Sequence, residues 1–128
     1  MDPRFLDAVF GPAFLLMGLS HLLQPRMWVR FFEAVRRSGF AAAIVPLLTL
    51  PFGLVLVAGH NLWMWDWPVL LTLAGWGMAI KGAVYLLIPG LADRALSQPM
   101  ATSPRTFQIV GATMAVVGAI LTWHAWMR

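Results

Sequence analysis

The chain has 128 residues, of which 60% are apolar and 11% charged, with a net charge of +4 and no cysteine. A soluble domain of this length cannot hide so much apolar surface, and without a thiol there is no disulfide framework, cysteine nucleophile or thiolate metal site. The apolar runs Phe5–Leu23, Phe40–Gly59, Val69–Ile88 and Phe107–Trp126 each approach the roughly 20 residues a helix needs to cross about 30 Å of hydrocarbon. They lack the period-two alternation of outer-membrane strands, so a β-barrel is excluded.

Asp2-Pro3 has the form of a helix start, an aspartate N-cap followed by proline at the first helical position. Met1-Asp2-Pro3-Arg4 carries one base and one acid, and no A-x-A site follows the first run, so the first helix is expected to persist in the mature protein. Pro12 should kink that helix, which ends at Gln24-Pro25. From Arg26 to Arg37, the residues Met27, Trp28, Phe31, Phe32 and Val35 share one helical face, and Arg26, Arg30, Glu33, Arg36 and Arg37 take the other. That pattern predicts an amphipathic helix lying in the membrane interface. Pro46, Pro51 and Gly53 predict a bend or local unwinding in the second span. After His60-Asn61 comes a Trp-rich turn, in which Asp66-Trp67-Pro68 resembles the start of the first helix. Gly75, Ala79 and Ala83 in the third span and Gly111, Ala115 and Ala119 in the fourth recur every four residues, predicting that these two helices pack on each other along small-residue strips. Pro89 to Pro104, with Pro99, reads as an irregular loop.

Arginine placement predicts orientation. Arg26, Arg30, Arg36 and Arg37 lie between the first two spans and Arg94 and Arg105 between the last two, against Arg4 and Arg128 on the opposite side. The positive-inside rule therefore puts both basic loops in the cytoplasm and both termini on the outer side of the membrane. The net charge implies contact between Arg26–Arg37 and anionic lipid rather than nucleic acid.

Shifting the second half back by 64 residues aligns the halves without a gap, placing Asp2 on Asp66, Gly11 on Gly75, Gly18 on Gly82, Pro25 on Pro89, Arg30 on Arg94, Thr49 on Thr113 and His60 on His124. The expected fold class is thus an all-α membrane protein, a single domain over 1–128. Its four transmembrane helices form two tandem parallel hairpin repeats, 1–64 and 65–128, with a cytoplasmic interfacial helix added. Through Gly18, Pro25 and Trp28, and through Gly82, Pro89 and Gly118, each half resembles a group of very small two-helix bacterial inner-membrane proteins. That group carries no established activity to transfer.

Two sets of residues invite chemistry. His60 and His124 should end the second and fourth spans at one outer depth, with Asp2 and Asp66 starting the first and third. Paired imidazoles beside carboxylates have the donor set to clamp a haem iron or a divalent metal. Trp63-Met64-Trp65-Asp66 also resembles the W-x-W-D core of the Trp-rich motif in cytochrome c-type haem-handling proteins, although the surrounding motif is missing. Helix capping and an interfacial aromatic belt account for the same residues, so no cofactor is expected. On the inner side, Lys81, Tyr85 and His21, with Ser20, form a second polar spot, where Lys81 must snorkel or pair, Glu33 being within feasible reach. Asp7 lies too far away in depth to be that partner.

Ser20 and His21 fall inside while Asp2, Asp66, His60 and His124 fall outside, so no Ser-His-Asp set is expected at one depth, and no enzymatic role. The prolines of the second span have no counterpart in the fourth, which argues against paired broken helices of the transporter type. The reading is a non-enzymatic accessory, assembly or scaffold subunit, in a larger membrane complex or a homo-oligomer. The alternatives are a protein binding haem, metal or a quinone-like ligand at His60/His124, and an oligomeric small-solute carrier or channel using Lys81.

Overall fold

A computed structural model describes residues 2–127. In chain order these form α1 (Pro3–Leu23), α2 (Pro25–Ser38), α3 (Ala41–Gly59), α4 (Val69–Leu87), α5 (Leu91–Leu96), a 3-10 turn (Pro99–Thr102) and α6 (Pro104–Trp126). No strand occurs among the described residues, and α1, α3, α4 and α6 are each long and apolar enough to cross a membrane. The chain is an all-α, multi-pass membrane protein whose spans begin and end within a few residues of the apolar runs.

Local chemistry explains most boundaries. The Asp2 carboxylate accepts from the Arg4 amide at 3.0 Å and Pro3 opens α1, as the Asp-Pro pair predicts. Asp66 does not repeat that role: it accepts from the Trp67 amide at 2.8 Å inside a turn, and α4 begins at Val69 behind Pro68. The amphipathic helix is present as α2 and stops where Gly39 adopts a left-handed backbone, φ 79°. Helix α3 runs unbroken through Pro46 and Pro51, so the expected unwinding is absent. Its apolar surroundings leave no water to bond a freed backbone, and close packing on α4 holds the helix together. The stretch expected to be irregular contains α5, begun by Gly90 at φ 78° and fixed because Ala92 is wholly buried beside Val35, Ala41 and Val45.

The helix partners differ from the sequence expectation. Helix α6 packs antiparallel against α1, and α4 against α3, while α4 and α6 touch only lightly. Gly75 and Ala79 face Leu56 and Gly53 of α3, and Gly111 and Ala115 face Gly18 of α1. Ala119 is exposed and lies off the contact. The strips are packing surfaces, but α1 and α3 carry matching small residues at Gly11, Gly18 and Gly53, which the four-residue spacing alone did not rank as partners. These contacts are backbone-close: a Cβ at Gly11 would stand 2.8 Å from the Thr122 nitrogen, and one at Gly53 2.9 Å from the Ala79 Cα.

The contacts of the two pairs correspond. Gly18 on Ala115 and Gly118 on Leu15 match Gly82 on Leu50 and Gly53 on Ala79, and Gly11, set against Leu121 and Thr122, matches Gly75 on Leu56. Along α1 and α4 the equivalent residues are 64 apart, as in the gapless alignment, but along α3 and α6 they are 65 apart. His60 therefore corresponds in contact register to Ala125 rather than to His124. Each half contributes one helix to each pair, so neither half packs as a closed hairpin.

The pairs meet through one leucine from each span, Leu6, Leu56, Leu71 and Leu121, at the side bearing Trp63, Trp65 and Trp67. At the opposite, arginine-bearing side, α2 closes the bundle with Trp28, Phe31 and Phe32, the last stacked on Phe107 of α6 at 5.7 Å.

Candidate functional site

The four-leucine contact sits beside a buried polar cluster built from three spans. Asp7 comes from the second turn of α1, His60 caps the C-terminus of α3, and Thr72 lies in the first turn of α4. His60 Nε2 is 2.9 Å from Asp7 Oδ1 and Nδ1 is 3.0 Å from Thr72 Oγ1. All are sealed from solvent, Asp7 at 3%, His60 at 0% and Thr72 at 1% exposure. Ionisable groups at this depth persist only when paired, and Asp7 and His60 pair with each other.

Proton positions follow from counting donors. Thr72 Oγ1 lies 2.9 Å from the His60 carbonyl and accepts from the Leu62 amide at 3.1 Å, in addition to its contact with Nδ1. A hydroxyl has one hydrogen and two lone pairs. One assignment satisfies every contact: the hydroxyl donates to the carbonyl and accepts from both Leu62 N–H and Nδ1–H. Nε2 and the Asp7 carboxyl then share a single proton, as ion pair or neutral pair, and the cluster carries no net charge. That is the least costly state for polar groups away from water. In this arrangement the carboxylate, imidazole and hydroxyl chain links α1, α3 and α4.

The connection after His60 is tied to the same cluster. Asn61 Oδ1 accepts from Trp63 Nε1 at 2.7 Å and from Trp76 Nε1 at 3.2 Å, joining the turn to α4. Trp126 Nε1 donates to the Ala8 carbonyl at 3.1 Å, fastening the end of α6 to α1 one residue after Asp7.

The residues singled out in the sequence are distributed differently. Both ring nitrogens of His60 are engaged within the cluster, so it does not turn one toward His124. His124 lines a separate, open cavity of about 380 Å³ with Trp67, Ala119, Ile120 and Trp123. Asp2 caps α1 and Asp66 caps its own turn. No group of three or more His, Cys, Asp or Glu is placed to hold a metal among the described residues.

The inner spot is likewise divided. His21 Nδ1 donates to the Met17 carbonyl at 2.7 Å while its ring stacks on Trp28 at 4.1 Å, and Trp28 Nε1 donates to Ser20 Oγ at 2.9 Å. Lys81 stands on the exposed face of α4 with its Nζ 5.7 Å from the Tyr85 ring centroid. Glu33 pairs with Arg37 at 3.8 Å instead of Lys81.

Sequence reasoning missed Asp7 and Thr72 as the partners of His60. The signal was present. Asp7 is a carboxylate inside an apolar run and must pair within the protein, and His60 and Thr72 bracket the turn at the same depth.

Residues 70–125, from α4 almost to the end of α6, match a family described as an uncharacterized protein conserved in bacteria (DUF2065). No curated protein and no solved structure matches the chain. Over its second half, the chain is similar to an uncharacterised bacterial family.

Proposed function

We propose that this protein is a non-enzymatic accessory, assembly or scaffold subunit of the bacterial inner membrane. The observation that carries the reading is the use of its buried polar groups. Asp7, His60 and Thr72 satisfy one another, and no buried side-chain nitrogen or oxygen among the described residues lacks a partner. Beside them Leu6, Leu56, Leu71 and Leu121 fill the junction of the helix pairs. A bundle closed in this way offers shape and lipid-facing surface, which suits assembly better than passage of a solute.

In this reading both termini and the Trp-rich turn face the periplasm, and α2 and α5 face the cytoplasm with Arg26, Arg30, Arg36, Arg37 and Arg94 against anionic lipid. The matched glycine contacts of the two pairs support an origin of the halves by duplication, with one residue inserted or lost before the second helix of one copy. Affinity purification of the intact protein in native lipid particles tests the role. The expected result is colourless, metal-free protein held in a reproducible assembly with other membrane proteins. A Soret band or stoichiometric metal, or saturable solute uptake into liposomes by the protein alone, would overturn it.

A further inference from the structure

At the arginine-bearing side, the end of α1, the first turns of α2 and the start of α6 enclose a groove of about 440 Å³. Its lining joins two chemistries: Arg26 and Arg30, one turn apart on α2, with Gln24 and Gln108, and the apolar Leu22 and Leu23. Among the described residues no carboxylate lies within ion-pair distance of Arg26 or Arg30, and Glu33, on the same helix, pairs with Arg37 instead. Leu23 is 76% exposed at the end of a membrane span, a position that faces acyl chains.

We propose that this groove binds one anionic phospholipid, with its phosphodiester on Arg26 and Arg30, the side-chain amides of Gln24 and Gln108 donating to headgroup oxygens, and an acyl chain along Leu22 and Leu23. Two neighbouring guanidiniums present forked donors that match phosphate oxygens. An inorganic anion would leave the leucine wall unused, whereas a lipid satisfies both parts of the lining at the depth where α2 lies. The site sharpens the general attraction of α2 for anionic lipid. It rests on α2 lying in an interface, and neither on the subunit role nor on which side α2 faces.

Native mass spectrometry of the intact protein in detergent tests it, with phosphatidylglycerol and phosphatidylcholine as probes. One phosphatidylglycerol is expected to bind. Arg36→Gln/Arg37→Gln, at the far end of α2, should leave this binding unchanged, whereas Arg26→Gln/Arg30→Gln should weaken it roughly twenty-five-fold, about fivefold for each basic group near a phosphate. Equal loss in both double variants, equal binding of phosphatidylcholine, or displacement by inorganic phosphate would overturn the site. Should Arg26→Gln/Arg30→Gln fail to fold, a photoreactive residue at position 108 of the otherwise native chain decides the matter. Labelling by phosphatidylglycerol in preference to phosphatidylcholine is expected, and its absence refutes the proposal.

Discussion

Replacing His60 by leucine should destabilise the bundle more than any other single change at the Trp-bearing side. The side chains of His60 and Asp7 are 0% and 4% exposed, so neither can recover water if its partner is removed. His60→Leu removes the buried partner of both the Asp7 carboxyl and the Thr72 hydroxyl, and should cost about 2–5 kcal/mol. Asp7→Leu strands only His60 Nε2, at the roughly 1–3 kcal/mol of one unsatisfied buried polar atom. The double variant strands neither group. Its loss should not exceed that of His60→Leu alone, leaving a coupling energy of about 1–3 kcal/mol. Unfolding in mixed micelles with increasing SDS, followed by the fluorescence of the seven tryptophans, measures all four corners of the cycle. Additive losses would refute the claim that Asp7 and His60 act as one bonded unit.

Other expectations are simpler to check. Thr72→Val keeps the side-chain volume but leaves the His60 carbonyl and the Leu62 amide without their shared hydroxyl, and should cost about 1–3 kcal/mol in the same assay. Gly18→Val drives a Cβ into the Ala115 backbone and should destabilise by about 1–3 kcal/mol or more, whereas Gly77→Ala, with nothing within 4 Å of the new Cβ, should stabilise α4 by about 0.5–1 kcal/mol. Lys81→Met, on a lipid-facing side of a membrane span with no acidic partner among the described residues, removes a charge that must snorkel and should leave stability unchanged or raised, and a loss would reveal an unrecognised partner.

The membrane spans were legible because length and apolarity alone decide them, and α2 because its aromatic and arginine residues separate cleanly on a helical wheel. Helix pairing was not legible to the same degree. The strips on α4 and α6 were recognised, but Gly11, Gly18 and Gly53 offer equally close approach on α1 and α3, and spacing within a helix carries no information about which neighbour it meets. The site was half visible. His60 stood out, yet a symmetry argument directed it toward His124, when the burial cost of Asp7 was the stronger physical constraint. Helix α5 escaped notice because its six residues are held by burial of Ala92 against α2 and α3, a tertiary contact that no local propensity records.

Photocrosslinking tests the helix pairing most directly. The account predicts that a photoreactive residue in place of Trp126 labels α1 near Ala8, and that one in place of Trp76 labels the end of α3 near Asn61. Labelling of α4 from position 126 and of α6 from position 76 in intact membranes, with the α1 and α3 products absent, would contradict it.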